Sequence, residues 1–481
     1  MREELLISRR GFMLAGGAAL AAAARAGGGP AAGGVPNVVL CMTDDQGWGD
    51  VSYNGLKAIR TPALDAMAAA GLRFNRFYAG APLCSPTRGS VLTGRHPNRY
   101  GCFMPGSPIR AQEMTIAQAL RRAGYRTGHF GKWHLNGVSG PGKPVAADDP
   151  LSPGKMGFDE WLSVSNYFDT DWTFSRKGEL EKHVGDGSDV IVAEALKFIA
   201  AAVREGRPFL AVIWFGSPHS PHKPLPEDQK AAGGSAYYGE LVAVDRAMGR
   251  LRSELRALGV ADNTLVWFNS DNGATPAGSN GPLRGHKATL WEGGIRVPGI
   301  IEWPAGIRKP VTTDVPACTS DIYPTVLELA KVTVPNQITP LDGLSLVPLI
   351  EGRMERRAAP IAFWHNPARA GGQLNTATGH AALCDNRYKL HRLPDGNWQL
   401  YDLVEDISEK RDLAAEKPEI VQQMKTELLR WIDSVAASYR GEDYRRAGIP
   451  FAPATRPAGP ATAPAARPRR QQRQQARRRR Q

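Results

Sequence analysis

Between residues 35 and 355, strand-like runs alternate with amphipathic stretches. The runs at 35–42, 126–130, 209–215, 264–269 and 297–302 have the length and β-branched or aromatic content of buried strands. Between them lie segments with a 3.6-residue apolar period. These are 62–70, opened by Thr61 and closed by Gly71; 116–123, closed by Gly124; 189–204, opened by Ser188; and about 236–258, closed by Gly259. Strand and helix in turn predict an α/β fold, a mostly parallel sheet with helices on both faces. After about residue 355 the texture changes. Short strands at 381–384, 388–393 and 398–402, with a turn at Asp395-Gly396, precede a helix beyond Pro418 that carries Ile420, Met424, Leu428, Trp431 and Val435 on one stripe. The expected organisation is a large domain over 35–354 and a small antiparallel subdomain with a packing helix over 355–440.

Polar residues stand at the ends of these strands. Asp44 and Asp45 follow the first, Lys132 and His134 the second, His219 the third after a Gly-Ser-Pro turn, and Asp271 and Asn272 the fourth. In open parallel sheets the ligand crevice lies beyond the carboxyl ends of the strands. An Asp-Asp pair alone is often a turn, and a lone His is usually structural. Four strands delivering such residues to one edge do not read as punctuation. Three carboxylates and an amide oxygen are hard ligands suited to Ca²⁺ or Mg²⁺. The lysines and arginine offer positive charge to an anionic tetrahedral group, and the histidines can trade protons near neutral pH.

The five cysteines (Cys41, Cys84, Cys102, Cys318 and Cys384) are odd in number and irregularly spaced, so they describe neither a disulfide framework nor a CxxC-type metal site. Cys84 alone stands in a patterned stretch. Pro86 suits the first turn of a helix, which places Cys84 at a helix N-terminus, where the dipole favours an anion.

Charge changes the picture only at the ends. The net charge of +13 suggests a nucleic-acid partner until it is located. Residues 452–481 hold nine arginines and no acid, and residues 1–26 hold four arginines against two glutamates, which leaves the body nearly neutral. No specific nucleic-acid partner is expected. Ser8-Arg9-Arg10-Gly11-Phe12, an apolar run over 15–24 and Ala24-Arg25-Ala26 have the order of a twin-arginine export signal. The run is shorter than the ~20 residues of a spanning helix, so no stable membrane span is expected. Residues 1–26 are therefore read as a signal that engages the twin-arginine machinery and delivers the protein to the periplasm or beyond. The tail over 452–481 has no apolar period and is expected to stay unfolded, so that truncation after Tyr444 is silent.

Cys84-Ser85-Pro86-Thr87-Arg88, followed by Leu92-Thr93-Gly94-Arg95, resembles the first signature of the type I, formylglycine-dependent sulfatases, and the stretch from Gly124 to His134 resembles their second. The resemblance extends in order through residues 44–50, Pro218-His219, Asp271-Asn272-Gly273, Gly285-His286-Lys287 and Trp291-Glu292-Gly293-Gly294, and covers about 35–440. Within the family the chain most resembles bacterial arylsulfatase-like and N-acetylgalactosamine-6-sulfatase-like members. Thr87 departs from the usual serine, at a position where maturation depends mainly on Cys, Pro and Arg.

The resemblance implies an alkaline-phosphatase-like fold and hydrolysis of a sulfate ester, on a sulfated small molecule or glycan. It implies oxidation of Cys84 to formylglycine by a formylglycine-generating enzyme, and one Ca²⁺ held by Asp44, Asp45, Asp271, Asn272 and the modified Cys84. Arg88 and His134 would position and deprotonate the diol, while Lys132, His219 and Lys287 would bind sulfate, His219 also protonating the leaving alcohol. Two rivals remain: a phosphonate or phosphate ester hydrolase of the same superfamily, and a non-catalytic sulfoglycan-binding protein if Cys84 stays a thiol. His222 is read as either shaping its loop or touching substrate, His129 and His286 as packing residues, and Gly47, Gly49, Gly293 and Gly294 as serving backbone geometry. Residues 163–176, with Tyr167, Trp172 and Phe174, are either a sugar-stacking wall or buried loop aromatics.

Overall fold

The computed structural model of the chain describes residues 34–138, 140, 142–366, 368 and 372–451. The export signal read at 1–26 and the arginine-rich tail at 452–481 lie outside the described residues.

Four of the expected strands form the centre of a ten-stranded sheet. Asn37–Thr43 lies parallel between Phe209–Trp214 and Thr264–Ser270, with Leu40 opposite Val212 and Trp267. Arg126–Lys132 pairs in parallel with the far side of Phe209–Trp214. The full order is Val311–Thr313, Leu72–Phe74, Gly299–Glu302, Thr264–Ser270, Asn37–Thr43, Phe209–Trp214, Arg126–Lys132, Glu160–Val164, Thr173–Arg176 and Glu179–Lys182. The run expected at 297–302 divides at Pro298, which has no N–H to give a ladder. Arg296–Val297 joins a small sheet with Phe77–Tyr78 and Ala317–Cys318, while Gly299–Glu302 runs antiparallel beside Thr264–Ser270.

Period-two alternation splits the core into two layers. Val39 and Cys41 pack with Leu64, Ile191, Val244 and Leu251 from the helices Pro62–Ala70, Gly187–Arg204 and Ala236–Ala257. Val38, Leu40 and Met42 pack on the opposite face with Val91, Ile116, Leu120 and Val326, from Cys84–Thr93, Ile116–Arg122 and Ile322–Leu329. Two helix starts differ from expectation. Asp186, not Ser188, caps the helix at 187, its carboxylate accepting from the amides of Ser188 and Asp189. The first turn at 62 is satisfied from outside, by Asp245 accepting from the Ala63 and Leu64 amides at 3.0 and 2.9 Å.

The C-terminal strands Ile361–His365, His380–Cys384, Tyr388–Arg392 and Trp398–Asp402 form an antiparallel sheet. One face, with Trp364, Leu383, Leu390 and Leu400, covers Met424, Leu428, Ile432 and Val435 of the helix Pro418–Tyr439. The other face packs Phe363, Ala382 and Tyr401 against Tyr78, Leu290 and Ile295 of the large domain. Chain beyond the helix is also packed. Buried Arg95 pairs with Glu113 at 2.6 Å and with Asp443 at 2.5 Å, and Phe451 lies 5.7 Å from the fully buried Tyr444 ring. Truncation after Tyr444 would strip the Phe451 ring from Tyr444, so the cut expected to be silent there would remove a packed side chain.

Candidate active site

Tight turns at the strand ends aim the polar side chains inward. Asp45 is held at φ 66°, and Asp50 braces the turn by accepting from the Gly47 amide at 2.9 Å and the Tyr237 hydroxyl at 2.5 Å. Gly273 must be glycine because a Cβ there would collide with the Gly293 carbonyl oxygen. Cys84 opens the helix Cys84–Thr93 as expected. Thr87 secures the preceding loop, its hydroxyl donating to the Ala81 carbonyl at 2.8 Å and accepting from the Ala81 amide at 3.2 Å. A hydroxyl is what that bracket needs, so threonine in place of serine preserves it.

Asp44, Asp45, Cys84 and Asp271 converge so that one potential ligand atom of each lies within 4.8 Å of the others, and all four are buried. The Cys84 thiol lies 3.6 Å from Asp44 Oδ1. Asn272 reaches the same place, its amide nitrogen donating to Asp45 Oδ1 at 2.8 Å, while its Oδ1 is buried with no hydrogen-bond partner. Three carboxylates and an unsatisfied amide oxygen are a hard, oxygen-rich donor set that fits Ca²⁺ or Mg²⁺.

Cations ring the cluster. Lys132, the last residue of its strand, reaches Asp44 Oδ2 at 2.5 Å, Arg88 reaches Asp271 at 2.8 Å, and Lys287 reaches Asp45 at 2.6 Å. Burial alone would raise the Asp44 carboxyl, but Lys132, His219, Arg88 and Lys287 together hold it well below the usual range. Asp271 goes the other way, pushed up to about 7 by burial and by Asp44, against Arg88 and Lys132. Burial pushes the Cys84 thiol up to about 12 although Lys132 and Lys287 pull it down, so the unmodified thiol is protonated at neutral pH and a poor nucleophile.

His134 sits at φ 55° with Nδ1 buried and unpartnered. Burial, Lys132 and Arg88 hold it well below the ordinary imidazole value, so it is neutral and can accept a proton. His219 Nδ1 lies 2.5 Å from the Ser220 carbonyl, which only accepts, so Nδ1 carries the proton and Nε2 faces Asp45 at 3.8 Å. Its value is lowered, chiefly by burial.

The structure brings together all ten residues expected at the site: Asp44, Asp45, Cys84, Arg88, Lys132, His134, His219, Asp271, Asn272 and Lys287. His129 is a packing residue, edge-on to Trp133 and Trp214 and bonded to Ser163. His222 sits edge-on to Tyr237 at 5.4 Å, and His286 is exposed at the surface of the Lys287 loop. Residues 163–176 divide between the two readings: Phe174 is core, whereas half-buried Tyr167 stacks on His219 at 5.2 Å and 13°. Sequence reasoning missed Glu240. It accepts from the Ser217 hydroxyl and, at 2.7 Å, from the Lys223 amide, clamping both ends of the His219 loop. A glutamate inside an amphipathic helix gave no signal of this.

Comparison with known proteins agrees with this geometry. The family model described as Sulfatase matches residues 36–332, and the one described as N-sulphoglucosamine sulphohydrolase, C-terminal, matches 286–434. N-acetylgalactosamine-6-sulfatase of Mus musculus is 33% identical over 372 residues, 68% of each chain. The Ulvan-active sulfatase of Formosa agariphila is 29% identical over 440 residues, 85% of this chain and 83% of that one. The crystal structure of Ps i-CgsB in complex with k-i-k-neocarrahexaose superposes with a TM-score of 0.75 at 27% identity, covering 86% of this chain and 98% of that one. The two family matches run from the first strand of the main sheet into the last long helix, and this chain belongs to the sulfatase family as a sulfuric ester hydrolase.

Proposed function

We propose that this enzyme hydrolyses sulfate esters of carbohydrates, using a formylglycine made from Cys84 and one Ca²⁺ held by Asp44, Asp45, Asp271, Asn272 and the modified Cys84. The observation that carries the reading is the charge count of the buried site. Three carboxylates (Asp44, Asp45, Asp271) face three cations (Arg88, Lys132, Lys287), an even balance with no surplus for an anion. A divalent cation offsets the burial and the Asp44 charge that push Asp271 up to about 7, and leaves a net positive pocket for a sulfate monoester. When bound, the cation supplies fixed charge opposite the sulfate oxygens. The formylglycine supplies, as its hydrate, the attacking oxygen that a protonated Cys84 thiol cannot.

Around these groups the side chains divide the work. Lys132 and Lys287 neutralise sulfate oxygens as the S–O bond breaks. His134, neutral and with Nδ1 unpartnered, takes the proton of the attacking group, which Arg88 orients. His219, with Nε2 turned to the site, protonates the leaving alcohol. A carbohydrate substrate is supported by the relatives, one named for galactosamine 6-sulfate chemistry and one for ulvan, and by a fold neighbour crystallised with a neocarrahexaose. Maturation requires a formylglycine-generating enzyme. The Arg9-Arg10 segment supports export by the twin-arginine route to the periplasm or beyond, and no helix of the described residues is long and apolar enough to cross a membrane.

Sulfate release from a panel of sulfated mono- and oligosaccharides tests the reading, with matched aryl sulfate and aryl phosphate alongside. Turnover of at least one sulfated sugar and preference for the aryl sulfate are expected. Preference for the aryl phosphate would move the assignment to phosphonate or phosphate ester hydrolysis.

A further inference from the structure

The motif Trp291-Glu292-Gly293-Gly294 contains a carboxylate that the proposed chemistry does not use. Glu292 is fully buried, and a second fully buried carboxylate, Glu409, comes to it from the C-terminal subdomain. Glu409 Oε2 accepts from the Glu292 amide at 2.6 Å. Its Oε1 accepts from Lys389 Nζ at 3.1 Å and faces His391 Nε2 at 2.8 Å. Lys389 donates to Glu292 Oε1 at 2.8 Å, and the other oxygen of Glu292 accepts from the Tyr78 hydroxyl at 3.0 Å. Strand alternation accounts for the placement. With Leu390 turned to the C-terminal helix, Lys389 and His391 must face the large domain.

The segment gripped in this way is the one that carries Lys287. The Arg284 guanidinium lies 3.6 Å over the Trp291 ring and donates to the Glu409 carbonyl at 3.1 Å, and His391 covers Trp291 at 4.4 Å. The Gly293 amide closes the loop onto the Arg284 carbonyl at 2.7 Å. Glu409 is held at φ 52°, a conformation that non-glycine residues adopt only when the surroundings enforce it.

We infer that Glu409 and Lys389 are positioning residues. They form a buried latch by which the C-terminal subdomain fixes the 284–294 loop and presents Lys287 to the sulfate group. This rests on the proposed role of Lys287 in binding sulfate. A latch that only held the fold together would change stability and not the anion affinity conferred by Lys287.

The test is a double-mutant cycle on the matured, full-length enzyme, pairing Glu409→Gln with Lys287→Ala, and Lys389→Met as a second latch variant. The readouts are KM for an aryl sulfate, the inhibition constant of inorganic sulfate, and melting temperature. Glu409→Gln is nearly isosteric and still offers an acceptor to the Glu292 amide, so a folded protein is expected. In an otherwise unaltered chain, KM and the inhibition constant should both rise about tenfold with a smaller change in kcat. In the Lys287→Ala background the same substitution should change them less than twofold. Equal factors in both backgrounds, or unchanged constants in both latch variants while Lys287→Ala raises them, overturn the latch. Unchanged constants in Lys287→Ala itself overturn the sulfate-binding role on which the latch rests.

Discussion

Arg88 and Asp271 meet at 2.8 Å with neither side chain exposed, and this pair ties the helix that begins at Cys84 to the strand end that carries two of the proposed metal ligands. The consequence is that Asp271 has two jobs. Asp271→Asn keeps its shape and an acceptor for Arg88 but removes one charge, so bound calcium should fall and a chelator should inactivate the variant at lower concentration. Asp271→Ala leaves the buried guanidinium without its nearest partner, since Asp44 is 3.7 Å away and already paired to Lys132. Breaking a buried pair from one side costs about 3–5 kcal/mol, so the alanine variant should also melt earlier. Metal analysis, chelator titration and thermal denaturation of both variants check this. Normal activity with zinc in place of calcium would show the ligands misassigned.

Cys84→Ala should abolish turnover and leave the fold intact. The side chain is fully buried, but it is small, and Asp44, to which its thiol donates, is held by Lys132. Intact-mass analysis of the Cys84 peptide, from protein made with a maturation enzyme, should find the thiol replaced by an aldehyde. Full activity in Cys84→Ala would end the proposed mechanism.

The convergence of the ten residues at the candidate site was legible because each stands at the carboxyl end of a patterned strand or in a spaced motif, where chemistry and chain geometry coincide. The central strands were legible for the related reason that burial on both faces leaves continuous apolar runs. What was not legible depended on contacts between distant segments. Glu179–Lys182 has no apolar pattern because it is the sheet's edge, with exposed Glu179, Leu180 and Lys182. The cap at Asp186, the brace from Asp245, the clamp at Glu240 and the latch at Glu409 are ordinary acids in sequence, and only the fold shows which amides they meet.

Glu240 makes the fold sensitive to pH. Burial, and then the neighbouring Asp169 carboxylate, push it from the ordinary 4.5 up to about 8. Its folded value lies above its unfolded one, so the fold favours the protonated form. That contribution is complete below about pH 4.5 and is lost as pH rises through about 8. Glu240→Gln cannot ionise and can still accept from the Lys223 amide while donating to the Ser217 hydroxyl. Its melting temperature should match the parent near pH 4.5 and exceed it by a margin that widens up to about pH 8. Parallel melting profiles across that range would show that Glu240 does not titrate in the fold.

Two truncations locate the end of the folded body. Residues 452–481 have no apolar stripe and no acids for their nine arginines, and ordering a backbone costs ~1–2 kcal/mol per residue. Truncation after Phe451 should therefore leave melting temperature and turnover of a small aryl sulfate unchanged. Truncation after Tyr444 removes a ring that packs on Tyr444 at 5.7 Å and lies 4.9 Å from the Arg110 guanidinium. Burying an aromatic side chain contributes about 1.5–3 kcal/mol, and Phe451 is only partly buried, so a loss toward the lower figure and an earlier melt are expected. Retention on a polyanionic polysaccharide should weaken in both truncations, most at low salt, because such contacts are screened over about 8–10 Å at physiological ionic strength. An early melt in the longer protein as well would place part of the tail within the fold.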